Sequence, residues 1–474
     1  MAHHTLGSVA SGWAQDNRAR RRECTIKTVA ASGDLQEIAG IALKEATAAG
    51  CSDVSVLASR SDDSQVRFSN NSISLVNNVR NVLLDVYVAK DKKRIVGQTY
   101  NPTERGIKSF IASLISSCES LPPSEDHAPL PQGPFRYASQ GNFDPRVAES
   151  NELVSYVKQA IDAGLSKGAS RLSGSLNTES TELAILTSGG ASGSDRQSKI
   201  MLNVRAFADD NASGHGLSCA SYVSDFEPEK AGAVAGEYAS RSRNPSQLPE
   251  GTYDVVFTST VVANILPVAR SASAFAIESG SSFLEGKLGQ RVGVPALGTD
   301  DCGVVEHGLG GRAFDDEGTP TTNKLVVGEG VFRTMLHNTT TAKKFGSKST
   351  GNAGIIAPYP FTIVFQAGGV SFEEMIRETR NGVLVTNNWY TRYQNQRTGE
   401  YSTVPRDAAF RLSDGEVREP LVGLRVSDSI PRQLERIGMI SRERNWIKWW
   451  EVETPTLAPA MMIRGVRITR AVGS

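Results

Sequence analysis

The stretch Tyr253-Asp-Val-Val-Phe-Thr258 begins shortly after Gly251 and leads directly into a helical pattern that continues to about residue 288. Its β-branched and aromatic residues, bounded by a glycine, are typical of a strand. Beyond residue 288, strand-like runs alternate with closely spaced glycines as far as the C-terminus. We therefore predict that residues 251–474 form a mainly antiparallel β domain, which packs back on a long helix at residues 259–288.

The chain before this strand shows other periodicities. Residues 33–50 carry apolar side chains at helical spacing, and Asp34 stands where it can cap the start of a helix. Strand-like alternation follows, for example in residues 53–59 and 82–89, and a second helical pattern covers about residues 103–117. These elements together predict a small N-terminal α/β domain.

The resulting organisation predicts the α+β fold class, with several segments. Prolines disfavour regular structure in the polar stretch at residues 121–143, which is therefore interpreted as a linker. The predicted segments are a disordered tail at 1–32, an N-terminal α/β domain at 33–120, a linker at 121–143, a central α+β domain at 144–250, and the mainly β domain at 251–474 with its helix at 259–288.

Charge and cysteine content restrict the function classes. The chain has 474 residues, with 51 basic and 51 acidic side chains, and this balance argues against broad binding of nucleic acid or anionic membrane. No apolar run reaches the length of a membrane span. Its five cysteines are scattered without a paired spacing, which favours a reducing compartment, so we predict a cytoplasmic location. An Arg-rich N-terminal tail is interpreted as solvated, with a transit peptide as the alternative.

Several motifs occur in a distinctive order. The run Ala313-Phe-Asp-Asp-Glu-Gly-Thr-Pro-Thr321 contains three adjacent carboxylates and a glycine, and Ser349-Thr-Gly-Asn-Ala353 follows it. The order and spacing of these motifs resemble the TldD/PmbA family, also known as peptidase U62 or modulator of DNA gyrase. The family-motif residues are Asp315, Asp316, Glu317, Gly318, Gly351 and Asn352.

The resemblance also implies where a zinc site would lie in a family member. In the family's catalytic subunit a helix carries His-Glu-x-x-x-His followed by Leu-Glu-Gly, two imidazoles and a C-terminal cysteine bind zinc, and the glutamate acts as base. The matching stretch here runs from Ile277 to Gly286, with Ile277 and Ser282 at the histidine positions and Glu278 retained. No cysteine follows Cys302. The resemblance therefore implies no catalytic residue and no metal ligand in this chain, and zinc in a partner subunit.

Several other residues are of types that form functional sites. His215 in Ser-Gly-His-Gly is interpreted as a loop residue, and Cys302, Glu306 and His307 as structural rather than metal-binding. The three adjacent carboxylates could bind a hard cation, but the motif favours a turn with backbone contacts. An aromatic and basic group near the C-terminus favours a protein interface over nucleic-acid stacking; it contains Trp446, Trp449, Trp450, Arg442, Arg444 and Lys448.

Three functions are consistent with the sequence. The leading hypothesis is a TldE-like, non-catalytic subunit that pairs with a TldD-like zinc-bearing paralogue and encloses extended, unfolded peptide for cleavage or maturation. The second is a hydrolase with a relocated active site that uses Glu278 or Glu285. The third is a self-associating scaffold or regulatory peptide binder. Neither nucleic acid nor membrane is an expected partner.

Overall fold

The computed structural model describes residues 34–138, 141–149 and 151–470. Two β-sheets and eleven α-helices occupy these ranges, which confirms the α+β class. The tail predicted for residues 1–32 lies outside the described residues. Among the helices in these ranges, none combines the length and the apolar character that crossing a bilayer requires.

The first sheet has six antiparallel strands in the order β3-β2-β1-β4-β5-β6. Their bounds are β1 Asp53–Ser69, β2 Ser72–Lys90, β3 Lys93–Thr99, β4 Arg171–Thr187, β5 Ser192–Phe207 and β6 Ser213–Ala220. The central pair joins β1 to β4 from Ser55 to Phe68. Strands from the segments predicted as N-terminal and central domains therefore form one continuous sheet.

Five helices belong to the segments that build this sheet. They are α1 Leu35–Ala48, α2 Glu104–Glu119, α3 Arg146–Glu149, α4 Leu153–Ser166 and α5 Pro228–Arg241. The side chain of Asp34 accepts a hydrogen bond from the Gln36 N–H at 2.9 Å, so the predicted cap of α1 is confirmed. The helices α4 and α5 approach so closely that a Cβ on Gly232 would lie 1.9 Å from the Ala160 carbonyl oxygen.

The stretch predicted as a linker has no helix or strand among its described residues, yet it packs against the first sheet. The side chain of Leu130 is buried, and its N–H donates to the Asp53 carboxylate at 2.8 Å. The other oxygen of Asp53 lies 3.0 Å from the Nε2 atom of His127. This stretch is therefore irregular but anchored to β1.

The second sheet has fourteen strands and is mainly antiparallel. Its longest strand, β20, pairs with four others, β8, β12, β18 and β19. The bounds are β7 Ser246–Gln247, β8 Gly251–Phe257, β9 Thr299–Cys302, β10 Asn323–Gly328, β11 Val331–Phe332, β12 Ile363–Phe365, β13 Asn381–Val385, β14 Trp389–Asn395, β15 Glu400–Val404, β16 Ala409–Ser413, β17 Glu416–Val422, β18 Leu424–Ser429, β19 Ile437–Trp449 and β20 Val452–Arg470.

The strand predicted at residues 253–258 is confirmed as β8. The strand pairs with β20 along one edge and with β13 along the other, and Val255, Val256 and Phe257 have no exposed surface. Val255 and Phe257 pack into one hydrophobic cluster and Val256 into another, so both faces of the strand are covered. A strand buried on both faces is apolar along its length, as this one is. The pairing of β8 with β13 is parallel, which adds a parallel component to the mainly antiparallel sheet.

The long helix predicted at residues 259–288 is wrong. The chain instead forms three short helices: α6 Ser259–Ile265, α7 Val268–Ser271 and α8 Ala274–Glu278. Pro267 lacks an N–H and restricts the residue before it, and Leu266 accordingly leaves the helical region with φ −115° and ψ 61°. Further on, Gly280 and Gly286 adopt positive φ angles of 67° and 70° and continue the chain as turns.

Three short helices complete the second half of the chain. They are α9 Thr339–Lys344, α10 Phe372–Glu378 and α11 Ile430–Leu434. Both α9 and α10 begin with a capping box, in which the side chains of the residue before the helix and of the third helical residue accept hydrogen bonds from each other's backbone N–H groups. The N–H of Thr339, the first residue of α9, donates to Glu317, so α9 begins beside the family-motif loop.

Candidate functional site

Ile277, the first position that the resemblance aligns with a zinc-binding imidazole, lies on α8. Ile277 is 6% exposed and lies within the large hydrophobic cluster under the second sheet. Its hydrocarbon side chain has no electron pair to donate to a metal ion. This position therefore contributes packing to the core.

The second position lies in the turn after α8. Ser282 is 1% exposed, and its hydroxyl donates to the Ser271 carbonyl oxygen at 2.6 Å. The same oxygen accepts the Leu284 N–H at 3.1 Å. This hydroxyl satisfies two backbone groups where the chain departs from helical geometry, so it holds the turn together.

The carboxylates of this segment face the surface and are paired with cations. Glu278 lies 2.6 Å from the Nζ atom of Lys344, which also contacts Asp126 at 2.8 Å. These two hydrogen-bonded carboxylates raise the pKa of Lys344. Glu285 lies 2.9 Å from the guanidinium of Arg397 in the turn between β14 and β15.

A zinc ion does not fit this segment. Of the two residues that the resemblance aligns with imidazoles, Ile277 has a hydrocarbon side chain, and the Ser282 hydroxyl is already engaged in two hydrogen bonds. Neutral imidazole, thiolate and carboxylate are the usual ligands of zinc. Across the described ranges, no group of three or more His, Cys, Asp or Glu side chains is arranged to hold a metal ion.

The family-motif loop is organised by Asp315, which is fully buried. One of its carboxylate oxygens accepts N–H groups of Glu317 at 3.0 Å and Thr319 at 2.8 Å. The other accepts the Ala353 N–H at 2.9 Å, which ties this loop to the second motif segment. Burial raises the pKa of Asp315 well above its ordinary value, and the nearby Glu317 carboxyl raises it further.

The two neighbouring carboxylates have separate partners. Asp316 forms a salt bridge with Arg312 at 2.8 Å, and its backbone carbonyl accepts the Ser55 hydroxyl at 2.7 Å. Glu317 accepts the Thr339 N–H at 2.9 Å and so binds the start of α9. Burial raises the pKa of Glu317 to about 7. The three carboxylates thus point to three different sets of partners.

The remaining motif residues support the same loops. Gly318 has φ 80°, and its carbonyl accepts the Tyr137 hydroxyl at 2.8 Å. Gly351 has φ 67°, and a Cβ there would lie 2.5 Å from the Pro320 carbonyl oxygen. Asn352 is fully buried and donates to the Asp301 carboxylate at 2.6 Å. The motif therefore forms a scaffold that joins the first sheet to α9 and β9.

One buried polar network has no counterpart in the sequence predictions. Asp407 is fully buried, accepts the Ser213 hydroxyl at 2.6 Å and forms a bidentate pair with Arg205. His215 lies next to it on β6 rather than in a loop, which makes the loop interpretation wrong. Burial lowers the pKa of His215 to about 4. Since Asp407 is about 200 residues from the other members, spacing in the sequence contains no signal of this network.

The predicted aromatic group divides in the structure. Trp449 is buried against His215, with ring centroids 4.7 Å apart, whereas Trp450 is 54% exposed. Trp450 contacts Trp389 at 5.5 Å and Tyr390 at 6.0 Å between ring centroids. The pair at 389 and 390 was missed because it lies sixty residues earlier in the chain.

Comparisons with known proteins identify the family of this chain. A family model described as the PmbA/TldA metallopeptidase central domain matches residues 143–243, and one described as the C-terminal domain matches residues 250–470. The fold and these matches define the class of this chain as a metallopeptidase-type α+β protein. The chain belongs to the PmbA/TldD family.

Curated relatives share about a quarter of the residues. A metalloprotease of Methanothermobacter thermautotrophicus is 27% identical over 322 residues, which cover 63% of this chain and 68% of that protein. Metalloprotease PmbA of Escherichia coli O157:H7 is 27% identical over 249 residues, or 51% of this chain and 53% of that protein. The match thus spans about half the length of the second relative.

Solved structures share the fold over nearly the whole chain. A candidate modulator of a DNA gyrase from Thermotoga maritima superposes with a TM-score of 0.81 at 22% identity, covering 92% of this chain and 100% of that one. TldE from Thermococcus kodakarensis superposes with a TM-score of 0.81 at 18% identity, covering 92% and 99%. At these identities the likeness establishes the fold.

Proposed function

We propose that this chain is the non-catalytic subunit of a heterodimeric, TldD/TldE-type zinc metallopeptidase. The observation that carries this proposal is the chemistry at the two imidazole positions, where Ile277 is core hydrocarbon and the Ser282 hydroxyl is engaged with backbone. The last cysteine of the sequence, Cys302, lies on β9 and is buried, so no C-terminal thiol compensates. The zinc ion and the hydrolytic step belong to the partner.

The contribution of this chain is to enclose and align unfolded peptide. The fold shared with TldE from Thermococcus kodakarensis supports a pairing with a TldD-like relative. Both sheets offer strand edges that a peptide main chain can extend by hydrogen bonding. The peptide is then presented to the partner for proteolysis or for maturation, in the cytoplasm and without nucleic acid.

Co-expression with a zinc-bearing paralogue tests this function. We expect the two chains to co-purify, about one zinc ion to accompany the partner, and peptide cleavage to require both chains. This chain purified alone should contain no stoichiometric zinc and cleave nothing. Metal analysis that finds about one zinc ion in the isolated chain, or cleavage by it, would overturn the proposal.

A further inference from the structure

The strand β14 has a free edge. Among the described strands it pairs only with β15, and five of its seven residues are exposed. An open edge presents unpaired N–H and C=O groups, which form hydrogen bonds with any extended chain laid beside them. Arg397, in the turn that follows β14, contacts Glu285 of the loop after α8. A chain bound along β14 would therefore run beside the segment in which the zinc ligands are replaced.

Aromatic rings surround the start of this edge. Tyr390 is 48% exposed, Tyr393 is 39% exposed and Trp450 is 54% exposed. The rings of Trp389, Tyr390 and Trp450 contact one another edge to face, with centroids 5.5 to 6.2 Å apart. Exposed aromatic clusters of this kind are enriched at surfaces that bind other polypeptides.

The backbone at Tyr390 is held in an uncommon conformation. Its φ is 57°, in the left-handed region that bulky side chains rarely adopt, and the register of β14 against β15 shifts between Trp389 and Arg392. The Glu451 carboxylate accepts the Tyr390 N–H at 2.7 Å and stabilises this conformation. Irregularities of this kind redirect side chains next to functional sites.

Two guanidinium groups lie on the same rings. The guanidinium carbon of Arg392 is 5.7 Å from the Tyr390 centroid, and that of Arg406 is 5.9 Å from Trp389 and 6.0 Å from Tyr390. Both residues are exposed, and in the part of the chain that the structure describes neither forms a salt bridge. One N–H of Arg392 donates to the Thr391 carbonyl oxygen at 2.9 Å, and the stacked guanidinium groups have further N–H donors, which suit carboxylates.

We propose that the free edge of β14, with these aromatic and guanidinium groups, binds extended peptides that carry acidic side chains. Main-chain hydrogen bonds to β14 supply the affinity, and Arg392 and Arg406 select carboxylates on alternate residues, which project to one side of a strand. The inference rests on the proposed function, because it names the peptide class that this subunit aligns.

Binding of matched peptides to the isolated full-length chain tests the inference. The probe is a fluorescein-labelled peptide of alternating Thr and Glu, seven residues long to match β14, and its twin carries Gln in place of Glu. By fluorescence anisotropy we expect the Glu peptide to bind at least about fivefold more tightly than the Gln twin. N-methylation of every residue in the Glu peptide should abolish binding, because it removes the main-chain donors on both edges of the peptide.

Reversing the charges of Arg392 and Arg406 tests whether these residues belong to the peptide-binding site. In the double variant Arg392→Glu/Arg406→Glu we expect the preference for the Glu peptide to disappear or reverse. The matched control Lys44→Glu/Arg105→Glu changes the net charge equally on α1 and α2, which pack on the other sheet, and should keep the preference. Equal binding of the two peptides to the unaltered chain would overturn the inference, even if the double variant failed to fold.

The outcome is separable from that of the proposed function. Peptide binding is measured here without zinc and without a partner, whereas the proposed function is tested by co-purification and metal content. An active heterodimer whose subunit binds Glu and Gln peptides alike would overturn this inference alone. An acidic preference in a chain that never pairs with a zinc-bearing relative would overturn the proposed function alone.

Discussion

At the residue scale, Glu317 is a buried carboxyl group of the family-motif loop, and its contribution to the stability of the fold depends on pH. It is 6% exposed and accepts the backbone N–H of Thr339, but burial penalises its charged form and raises its pKa from 4.5 to about 7. Arg94 favours the charged form, while Asp316 disfavours it. Its carboxyl therefore changes charge close to neutral pH in the folded chain.

This shift predicts a pH-dependent stability. Because the folded-state pKa is above the unfolded one, the contribution of Glu317 is complete below about pH 4.5 and is lost as the pH rises through about 7. In Glu317→Gln, which keeps an acceptor for Thr339, that loss should be absent. Urea unfolding should therefore show Glu317→Gln gaining stability relative to the unaltered chain between pH 5 and pH 8. The exposed control Glu419→Gln should show no such trend, and a parallel pH dependence for all three chains would contradict the assignment.

Glu278 provides a functional test at the same scale. The resemblance aligns it with the family's general base, but its carboxylate is exposed and pairs with Lys344. An exposed ion pair contributes little, about 0 to 1 kcal/mol. In the proposed heterodimer, Glu278→Gln should keep peptide cleavage within about twofold, since the proposal assigns the base to the partner.

The matched control for Glu278 is the partner's own motif glutamate changed to Gln, which should abolish turnover while zinc is retained. Loss of turnover in Glu278→Gln with the partner's zinc intact would instead favour a hydrolase with a relocated site. Turnover by the pair is measured with the same unfolded peptide in both variants.

At the element scale, two helical glycines predict opposite effects of one substitution. A Cβ on Gly232 in α5 would meet the Ala160 carbonyl oxygen at 1.9 Å, whereas on Gly40 in α1 the nearest atom, a methyl of Leu186, is 3.9 Å away. Gly232→Ala should therefore destabilise the chain by about 1–3 kcal/mol through overpacking. Gly40→Ala should stabilise it by about 0.5–1 kcal/mol through lower unfolded-state entropy. Thermal and urea unfolding measure the stability of both variants. If both substitutions change the unfolding free energy equally and in the same direction, the close approach of α4 and α5 is refuted.

The division of the predicted long helix into α6, α7 and α8 also belongs to the element scale. The apolar spacing of residues 259–288 favours helix locally, but Pro267 interrupts the backbone hydrogen bonds and the Ser282 hydroxyl takes over two backbone partners. A proline inside a periodic pattern is itself a sequence signal, and it indicates that a helix ends at residue 266. The hydroxyl contacts, in contrast, depend on the fold.

At the scale of the whole molecule, the continuous first sheet predicts how the chain responds to cleavage. A protease site inserted after Pro122, in an exposed part of the linker, would lie between β1 and β4 in the sequence, although these two strands pair in the structure. After cutting, the two pieces should co-elute on size-exclusion chromatography and separate in urea, because the β1–β4 ladder holds them together. Pieces that separate under native conditions would mean that residues 33–120 form an independent domain.

The amino-acid sequence alone determined the α+β class, the buried strand β8, the cap at Asp34 and the family resemblance, because local periodicity and ordered motifs are properties of neighbouring residues. The prediction that Ile277 and Ser282 stand at the family's imidazole positions also comes from the sequence. Only the tertiary structure decided which strands share a sheet, how α6 to α8 are divided, and which residues surround β14. These features arise from contacts between residues far apart in the chain, and a one-dimensional pattern does not specify the partner of a strand or of a buried charge.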